Sequence, residues 1–295
     1  MPPIYGYQGQ LGIDTANPVT VRYDFQSESL VLDEQFIDTN GLRGTRSRFI
    51  ANVRQGNRRV AGQLHLQPTA VELSNLLPWI LGGSPTGSGT VTYPLADALP
   101  TARYITVDRG PQVPTYNGCQ VDRATFKGSQ GEPLDLILDI VGIDETLGAS
   151  GSFPNLSIDV TTQPFIFTDL ALVINGNTYN AKDIEVVIDN SIDKERFYNS
   201  QTLVSVQAMD RHVMLNTQLP YGVASAAYGT GPGGVLATAI FTGPGTSVLE
   251  FSFVKVAFPR KSPSFTAGRQ EEMLPMQGIA YYSGSTSEVV TTLHT

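Results

Sequence analysis

The stretch Leu134-Asp-Leu-Ile-Leu-Asp-Ile140 alternates with a period of two residues. A β-strand points successive side chains to opposite faces, so this period places every second residue on one face. One face carries Leu134, Leu136, Leu138 and Ile140, and the other carries Asp135, Ile137 and Asp139. The pattern predicts a β-strand whose aliphatic face is buried in a core.

The same alternation recurs along the chain. It is found at 103–107, 183–188, 202–208 and 250–258, in segments rich in β-branched or aromatic residues and bordered by Gly, Pro, Asn or Asp. Such residues favour strands, and such borders favour turns. The chain is therefore predicted to be all-β.

One helix is predicted, at about residues 70–81. Thr69 and Glu72 have the spacing of a capping box, in which each side chain binds the other residue's backbone N–H. Gly82 supplies a stop, and Pro78 is expected to kink the helix because it lacks a backbone donor. The residues with helical spacing that we expect to pack this helix are Leu73, Leu76, Leu77 and Ile80.

Composition indicates a folded chain with many turns. The 295 residues include 29 Gly and 19 Pro, and 41 % of them are hydrophobic. This content provides a core, and about 150 residues per domain predicts two domains. The single cysteine, Cys119, excludes an internal disulfide and favours a reducing compartment. Neither the first ten residues nor the apolar stretch 73–81 resembles a signal peptide or a membrane span, so we expect neither.

The charge is acidic and evenly divided. The net charge is −8, with 15 acidic and 11 basic residues in 1–148 and 12 acidic and 8 basic residues in 149–295. Proteins that clamp nucleic acid neutralise phosphates with a basic surface. The balance argues against such a clamp.

The two halves also resemble each other. A Gly- and Ser-rich stretch at 148–154 is predicted to link them. Residues 124–132 lead into one alternating strand, and residues 263–272 lead into another that contains Leu274, Met276, Gly278 and Ala280. We interpret this as an internal duplication, with domains at 1–148 and 149–295. On this interpretation, residues 60–83 correspond to residues 204–229.

No motif indicates catalysis, a cofactor or a metal. The Gly229–Gly234 stretch fits G-x-G-x-x-G, but Pro232 interrupts it and a strand-like segment follows, so we expect a plain loop. The three histidines, His65, His212 and His294, lie far apart, and His65 is expected to be the polar residue of an alternating strand. Two carboxylates of a glycosidase would leave no sequence signature, so that possibility stays open.

The most uneven charge distribution in the sequence is a group of six arginines, with no acidic residue between Asp38 and Glu72. Three roles are open for this predicted loop at 43–59: DNA contact, a solvated hairpin, or an arm that docks on an acidic face of another subunit. Its length favours the arm, because hairpin loops usually have roughly 2–5 residues. The candidate contact residues are Arg43, Arg46, Arg48, Arg54, Arg58 and Arg59.

Taken together, these features resemble the tail tube proteins of long-tailed bacteriophages, of the duplicated type. The resemblance covers about residues 45–285. It rests on Val60-Ala-Gly-Gln-Leu64 before the helix, Tyr104-Ile-Thr-Val107, Tyr116-Asn-Gly-Cys-Gln-Val121, Pro164-Phe-Ile-Phe-Thr-Asp169 and Ile184-Glu-Val-Val-Ile-Asp-Asn190.

The resemblance implies two tandem tail-tube-type β-sandwich or barrel domains, each with a short flanking helix. It further implies a non-enzymatic virion protein, assembled in the host bacterial cytoplasm, whose rings stack into a tube for genome delivery. A trimeric ring with pseudo-sixfold symmetry is expected, with a hexamer as the alternative. The implied partners are the tape measure protein in the lumen and the tail terminator and baseplate or tail-tip proteins. DNA would pass without specific binding, and no membrane or cofactor is involved.

Two other functions remain open at this stage. One is a β-sandwich virion adhesin or carbohydrate-binding module that stacks sugars on tyrosines and on Trp79. The other is the carboxylate-dependent glycoside hydrolase, which needs two acidic residues across a cleft.

Overall fold

The computed structural model describes residues 6–38, 45–222, 233–260 and 271–295. Strands dominate this part of the chain, which confirms the all-β prediction. Short 3-10 helices occupy Gly6–Gln8, Ile50–Asn52 and Phe167–Asp169. The α-helix α1 spans Ala70–Leu81.

The strands of the first half, in chain order, are β1 (Gln10–Asp14), β2 (Arg22–Tyr23), β3 (Ser27–Glu28), β4 (Val31–Asp38), β5 (Val53–Leu66), β6 (Thr86–Ser88), β7 (Thr90–Tyr93), β8 (Arg103–Asp108), β9 (Gln112–Ser129), β10 (Asp135–Gly142) and β11 (Asp144–Ala149). Those of the second half are β12 (Leu170–Ile174), β13 (Asn177–Tyr179), β14 (Asp183–Asp189), β15 (His212–Pro220), β16 (Val235–Thr242), β17 (Val248–Ala257), β18 (Met273–Ala280) and β19 (Val290–His294).

A central antiparallel sheet runs through both halves. Its order is β3 and β4 at one edge, then β5, β10, β9, β14, β15 and β18. The halves meet where β9 pairs with β14, with Phe126 opposite Val186. The alternation predicted for β10 is confirmed, because Leu136, Leu138 and Ile140 are buried.

Two further sets of strands flank the central sheet. The order of the first is β2, β1, β8, β9 and β11, so β9 contributes residues 112–119 here and 120–129 to the central sheet. The order of the second is β13, β12, β16, β17, β19, β7 and β6. This second set combines strands of the second half with β6 and β7 of the first.

One large hydrophobic core spans the two halves. The rings of Phe126 on β9 and Phe251 on β17 have centroids 4.9 Å apart, so the central and flanking sheets meet there. Burial of this apolar area is the dominant favourable contribution to folding. A smaller cluster consists of Val141, Ile192, Phe197 and Leu203.

Helix α1 follows its predicted pattern. Thr69 Oγ1 accepts a hydrogen bond from Glu72 N, Glu72 Oε2 accepts one from Thr69 N at 2.8 Å, and Gly82 ends the helix with φ of 81°. This confirms the predicted capping box. Pro78 lies inside the helix. The helix packs against β7, β9 and β19.

The structure corrects two predictions of local structure. Residues 202–208 do not form a strand, because Thr202 and Ala208 make only isolated bridges, to Arg58 and Ile192. The loop expected over 43–59 is also wrong in its extent, because residues 53–59 belong to β5 and pair with β4. The Arg-rich segment is therefore part of a long β-hairpin.

Other predictions fall partly or wholly beyond the described residues. The described part of the second half contains no α-helix, and residues 223–232, in the stretch compared with 60–83, lie outside it. Most of the Gly229–Gly234 loop and of the repeat segment 263–272 also lies outside. The domain boundary at 148 and 149 stays a prediction, and the β9–β14 and β7–β19 pairings cross it.

Candidate assembly surfaces

On the solvent-facing side of the central sheet, most of the charged residues of β9, β10 and β14 are acidic. Strand register places Asp139, Arg123 and Asp189 in one row across β10, β9 and β14. A second row across the same strands contains Asp135, Lys127 and Glu185. With Asp183 at the end of β14, this surface holds five carboxylates and two basic side chains. We call these seven residues the acidic face.

Hydrogen bonds hold several of these carboxylates in place. Arg123 Nη2 donates to Asp189 Oδ2 at 2.7 Å, which raises the pKa of the Arg123 guanidinium. Gln63 Nε2 donates to Asp139 Oδ1 at 2.7 Å, and Asn216 Nδ2 donates to Glu185 Oε2 at 2.8 Å. Partial burial raises the pKa of Asp183. These contacts join strands of both halves into one polar surface.

One edge of the central sheet is open. Strand β4 pairs with β5 on one side, and no strand of the described residues pairs with its other side. An unpaired edge presents backbone N–H and C=O groups to which a strand of another chain can bind. This edge can therefore join the sheet of a second molecule.

Beyond the central sheet, β4 and β5 continue as a projecting hairpin. We call its described residues, 33–38 and 45–57, the arm. Its apolar side chains are unusually exposed: Phe36 is 69 % and Ile50 is 87 % accessible, and Ile37 and Phe49 are also exposed. Isolated surface apolar residues are ordinary, but a group of them on one projecting hairpin indicates a contact surface.

The structure places the candidate arginines in two different environments, on the exposed arm and against other residues of the same chain. Arg46, Arg48 and Arg54 are exposed on the arm, where Arg48 Nη1 lies 3.5 Å from Asp38 Oδ2. Arg58 and Arg59 are half-buried instead. They contact residues of the same chain, because Arg58 Nη2 donates to Asp144 Oδ2 and Arg59 Nη1 donates to Lys194 O, both at 2.8 Å. Arg43 lies outside the described residues.

The four helix residues predicted for packing, Leu73, Leu76, Leu77 and Ile80, are all buried. Trp79 is also buried, and its Nε1 donates to Cys119 O at 3.3 Å. A buried indole cannot stack on a sugar, so Trp79 gives no support to the carbohydrate-binding alternative.

Sequence reasoning missed a groove of about 560 Å³ beside the C-terminal end of α1. Its walls come from Ile80 and Leu81, from residues 96–100, 208–212 and 279–282, and from Asn190 and Glu288. Arg211 is held within it, since Nη1 donates to Ala96 O at 2.6 Å and Nη2 to Glu288 Oε2 at 3.1 Å. The other acidic residues of the wall are Asp97 and Asp210, and its exposed apolar and aromatic residues are Met209, Ile279, Tyr281 and Tyr282.

Within the described ranges, no three His, Cys, Asp or Glu residues are grouped as a metal site would need. Those ranges also contain no helix with the length and apolar character required to cross a bilayer. Cys119 is buried, which raises the pKa of its thiol.

Comparison with known proteins identifies the family. A sequence profile described as phage tail tube protein matches residues 6–280, which is most of the chain. No curated protein matches the chain. The profile, together with the all-β architecture and the surfaces above, shows that this chain belongs to the phage tail tube protein family and is a structural component of the bacteriophage tail.

Proposed function

We propose that this chain assembles into closed rings in which both halves contribute to one continuous sheet, and that these rings stack into the tail tube. The acidic face would line the lumen. The observation that carries this proposal is the β9–β14 pairing, which joins the two halves edge to edge inside one molecule.

The strand pairing supports a duplicated unit. In the first half β10 lies between β5 and β9, and in the second half β18 pairs with β15 and, at its end, with β17. Leu138 on β10 is opposite Leu64, just as Gly278 on β18 is opposite Leu215. We therefore treat β5, β10 and β9 as unit one, and β15, β18 and β17 as unit two.

This equivalence assigns a role to the open edge. Glu28 on β3 is opposite Leu64, and Val186 on β14 is opposite Leu215. Strand β14 thus occupies in unit two the position that β3 and β4 occupy in unit one. Because the outer side of β14 binds the neighbouring unit, the outer side of β4 is expected to bind the neighbouring molecule in the same way.

Ring closure would remove the exposed edges that otherwise favour open-ended aggregation. Since both units share one sheet, three chains would supply six units around the lumen. This supports the trimeric ring with pseudo-sixfold symmetry over a hexamer with its second unit outside. Stacking of rings is a head-to-tail contact that does not close, so it yields a filament.

An acidic lumen suits the passage of DNA. Five carboxylates against two basic side chains would repel phosphates, and binding that depends on phosphate neutralisation would be weak. We further propose that the lumen holds the tape measure protein before DNA enters. The tail terminator and the baseplate or tail-tip proteins would contact the ends of the tube, and assembly would take place in the host bacterial cytoplasm.

Electron microscopy of purified, assembled protein tests the ring. We expect stacked rings with three chains and six sheet units each. A chain that stays monomeric at all concentrations and ionic strengths would overturn the proposal, and six chains per ring would overturn the trimer.

A labelling experiment tests which surface lines the lumen. Thr125 on β9 projects from the acidic side of the sheet, whereas Thr242 on β16 is exposed on the flanking sheet. Thr125→Cys and Thr242→Cys should both react with a bulky maleimide polymer as monomers. In tubes only Thr242→Cys should react, and equal labelling of both in tubes would contradict the assignment. The buried Cys119 gives little background.

A further inference from the structure

We propose that the arm of one molecule docks in the groove of the next molecule in the ring, against Tyr281 and Tyr282. This inference rests on the ring proposed above and adds a specific contact between its subunits. It follows from a contact that the chain already makes with itself.

The intramolecular contact is made by residues 190–211, which connect β14 to β15. In unit two this segment occupies the place that the arm and its neighbouring residues occupy in unit one, between β4 and β5. It folds against unit one, where Ile192, Phe197 and Leu203 pack with Val141. Polar contacts support the packing, since Ile192 N donates to Asp122 Oδ1 at 2.8 Å.

Asn190 anchors the beginning of this segment. Its Nδ2 donates to Val121 O at 2.9 Å and to Ile80 O at 3.2 Å, so one buried amide joins the segment to both β9 and α1. Further along, Arg58 N donates to Gln201 O at 2.7 Å. A unit of this fold therefore carries a surface that receives the long hairpin connection of the adjacent unit.

No described segment of the chain packs over the equivalent receiving surface of unit two. The internal duplication aligns residues 134–140 with residues 274–280, so Val141 corresponds to Tyr281. Val141 is 3 % exposed beneath the 190–211 segment, whereas Tyr281 is 50 % exposed. Tyr282, the next residue, is 60 % exposed. Within the described residues of unit two, the receiving position thus has no segment over it.

The arm and the groove are chemically complementary. The arm presents Phe49 and Ile50 together with three exposed arginines, Arg46, Arg48 and Arg54. The groove presents two tyrosines and Met209, with the exposed carboxylate of Asp210 and that of Asp97, which lies 3.8 Å from Arg211 Nη2. Arginine pairs favourably with carboxylates and with aromatic faces. Arg211, the basic residue of the groove, donates hydrogen bonds to Ala96 O and Glu288 Oε2 of its own chain.

The two surfaces also emerge at the same rim of the central sheet. The arm continues β5 beyond Val60, past the row that contains Asp139 and Asp189. His212 lies in that row, and Tyr281 directly follows β18 at the same end. When the β4 edge of one molecule meets unit two of its neighbour, the arm is therefore brought to the rim where the groove opens.

Intermolecular cross-linking tests the contact directly. Ile50→Cys and Tyr282→Cys are prepared as separate chains, mixed, assembled and treated with a short bifunctional maleimide. We expect a cross-linked dimer in rings and none at monomer concentrations. The matched control pairs Ile50→Cys with Leu236→Cys, an exposed position on the flanking sheet that should give no dimer.

The outcomes separate this inference from the proposed ring. Rings that form without an Ile50–Tyr282 cross-link, or that cross-link equally in the control, overturn the docking site and leave the ring intact. Absence of rings in the unmodified chain overturns the proposed function, and the docking site with it.

A second variant measures the strength of the contact. Tyr281→Ser with Tyr282→Ser should raise the protein concentration needed for ring assembly by about tenfold or more, because aromatic residues often dominate contact energy. Leu236→Ser is the control and should leave this concentration unchanged. Both variants should keep the circular dichroism spectrum and thermal midpoint of the parent monomer, since all three side chains are at least half-exposed. An unchanged assembly concentration in the double variant contradicts the inference.

Discussion

Arg123 on β9 lies directly opposite Asp189 on β14, and its Nη2 is 2.7 Å from Asp189 Oδ2. This pair crosses the junction between the two halves of the chain. Asp189 also accepts hydrogen bonds from Ser191 N at 2.9 Å and Ser191 Oγ at 3.0 Å. Partial burial raises the pKa of Asp189, but the hydrogen bonds from Arg123 and Ser191 outweigh burial and hold that pKa below its usual value of 3.8.

The pKa shift of Asp189 predicts a pH-dependent stability. A lowered pKa in the folded state means that the carboxylate stabilises the fold above pH 3.8 and that this stabilisation is lost as the pH falls through the folded pKa. Asp189→Asn should therefore lower the free energy of unfolding by about 1 kcal/mol at pH 7, an amount that reflects solvent screening of the pair. Urea unfolding at several pH values measures it. A difference between variant and parent that stays constant down to pH 3 would contradict this explanation.

The capping box of α1 predicts a loss of stability in Thr69→Ala. Removal of the hydroxyl leaves Glu72 N without its acceptor, which should cost about 1 kcal/mol in the free energy of unfolding. Thr69→Ser keeps the oxygen and serves as the control. Urea unfolding of both variants measures the difference. An equal loss of stability in the two variants would show that removal of the Thr69 γ-methyl group, and not removal of the cap, causes the effect.

The division of the arginines predicts two different phenotypes. Arg58→Gln should lower the free energy of unfolding by about 1 kcal/mol, because the half-buried Arg58 is paired with Asp144 in the same chain. Arg54→Gln, on the exposed arm, should leave that free energy within about 0.5 kcal/mol and weaken ring assembly. Chemical unfolding and electron microscopy provide the two measurements. The reverse pattern would mean that the arm is a structural hairpin without a role in assembly.

Close packing at β18 predicts that Gly278→Ala destabilises the monomer. A Cβ at this position would lie 2.4 Å from Val256 Cγ1 and 2.5 Å from Phe258 Cε1. Such overpacking typically costs about 1–3 kcal/mol. Gly222→Ala is the control, since a Cβ there meets nothing within 4 Å. Thermal unfolding of both variants measures the difference. Similar midpoints would show that Val256 and Phe258 shift to accommodate the added methyl group at little energetic cost.

Much of the fold could be predicted because its signals are local. The alternation of β10 and the capping box at Thr69 each depend on residues close together in the chain. The strand expected at 202–208 failed for an instructive reason. Leu203 and Val206 pack this connecting segment onto the other half of the molecule, whereas Val204 is exposed, so the alternation of residue types did not correspond to a strand.

The strand at residues 53–59 was missed for the opposite reason. Residues 54–59 are polar or glycine on both faces of β5, so no apolar period marks the strand, and its partner β4 is supplied by residues 31–38. The groove could not be predicted either, because its walls come from four stretches between Ile80 and Tyr282 that meet only after folding. The Tyr281-Tyr282 pair after an alternating strand was the one available signal.

The pairing of β7 with β19 has a consequence for biosynthesis. Thr90 and His294 are register partners, and about two hundred residues separate them, so this ladder forms only after residues 290–294 have been synthesised. Until then the flanking sheet lacks β19, which pairs with β17 on one side and with β7 on the other. The facing edges of β7 and β17 are therefore unpaired. A chain shortened at its C-terminal end would keep those defects permanently. The fold thus makes residues 290–294 a condition for a complete flanking sheet, so we expect chains that stop before them to assemble poorly.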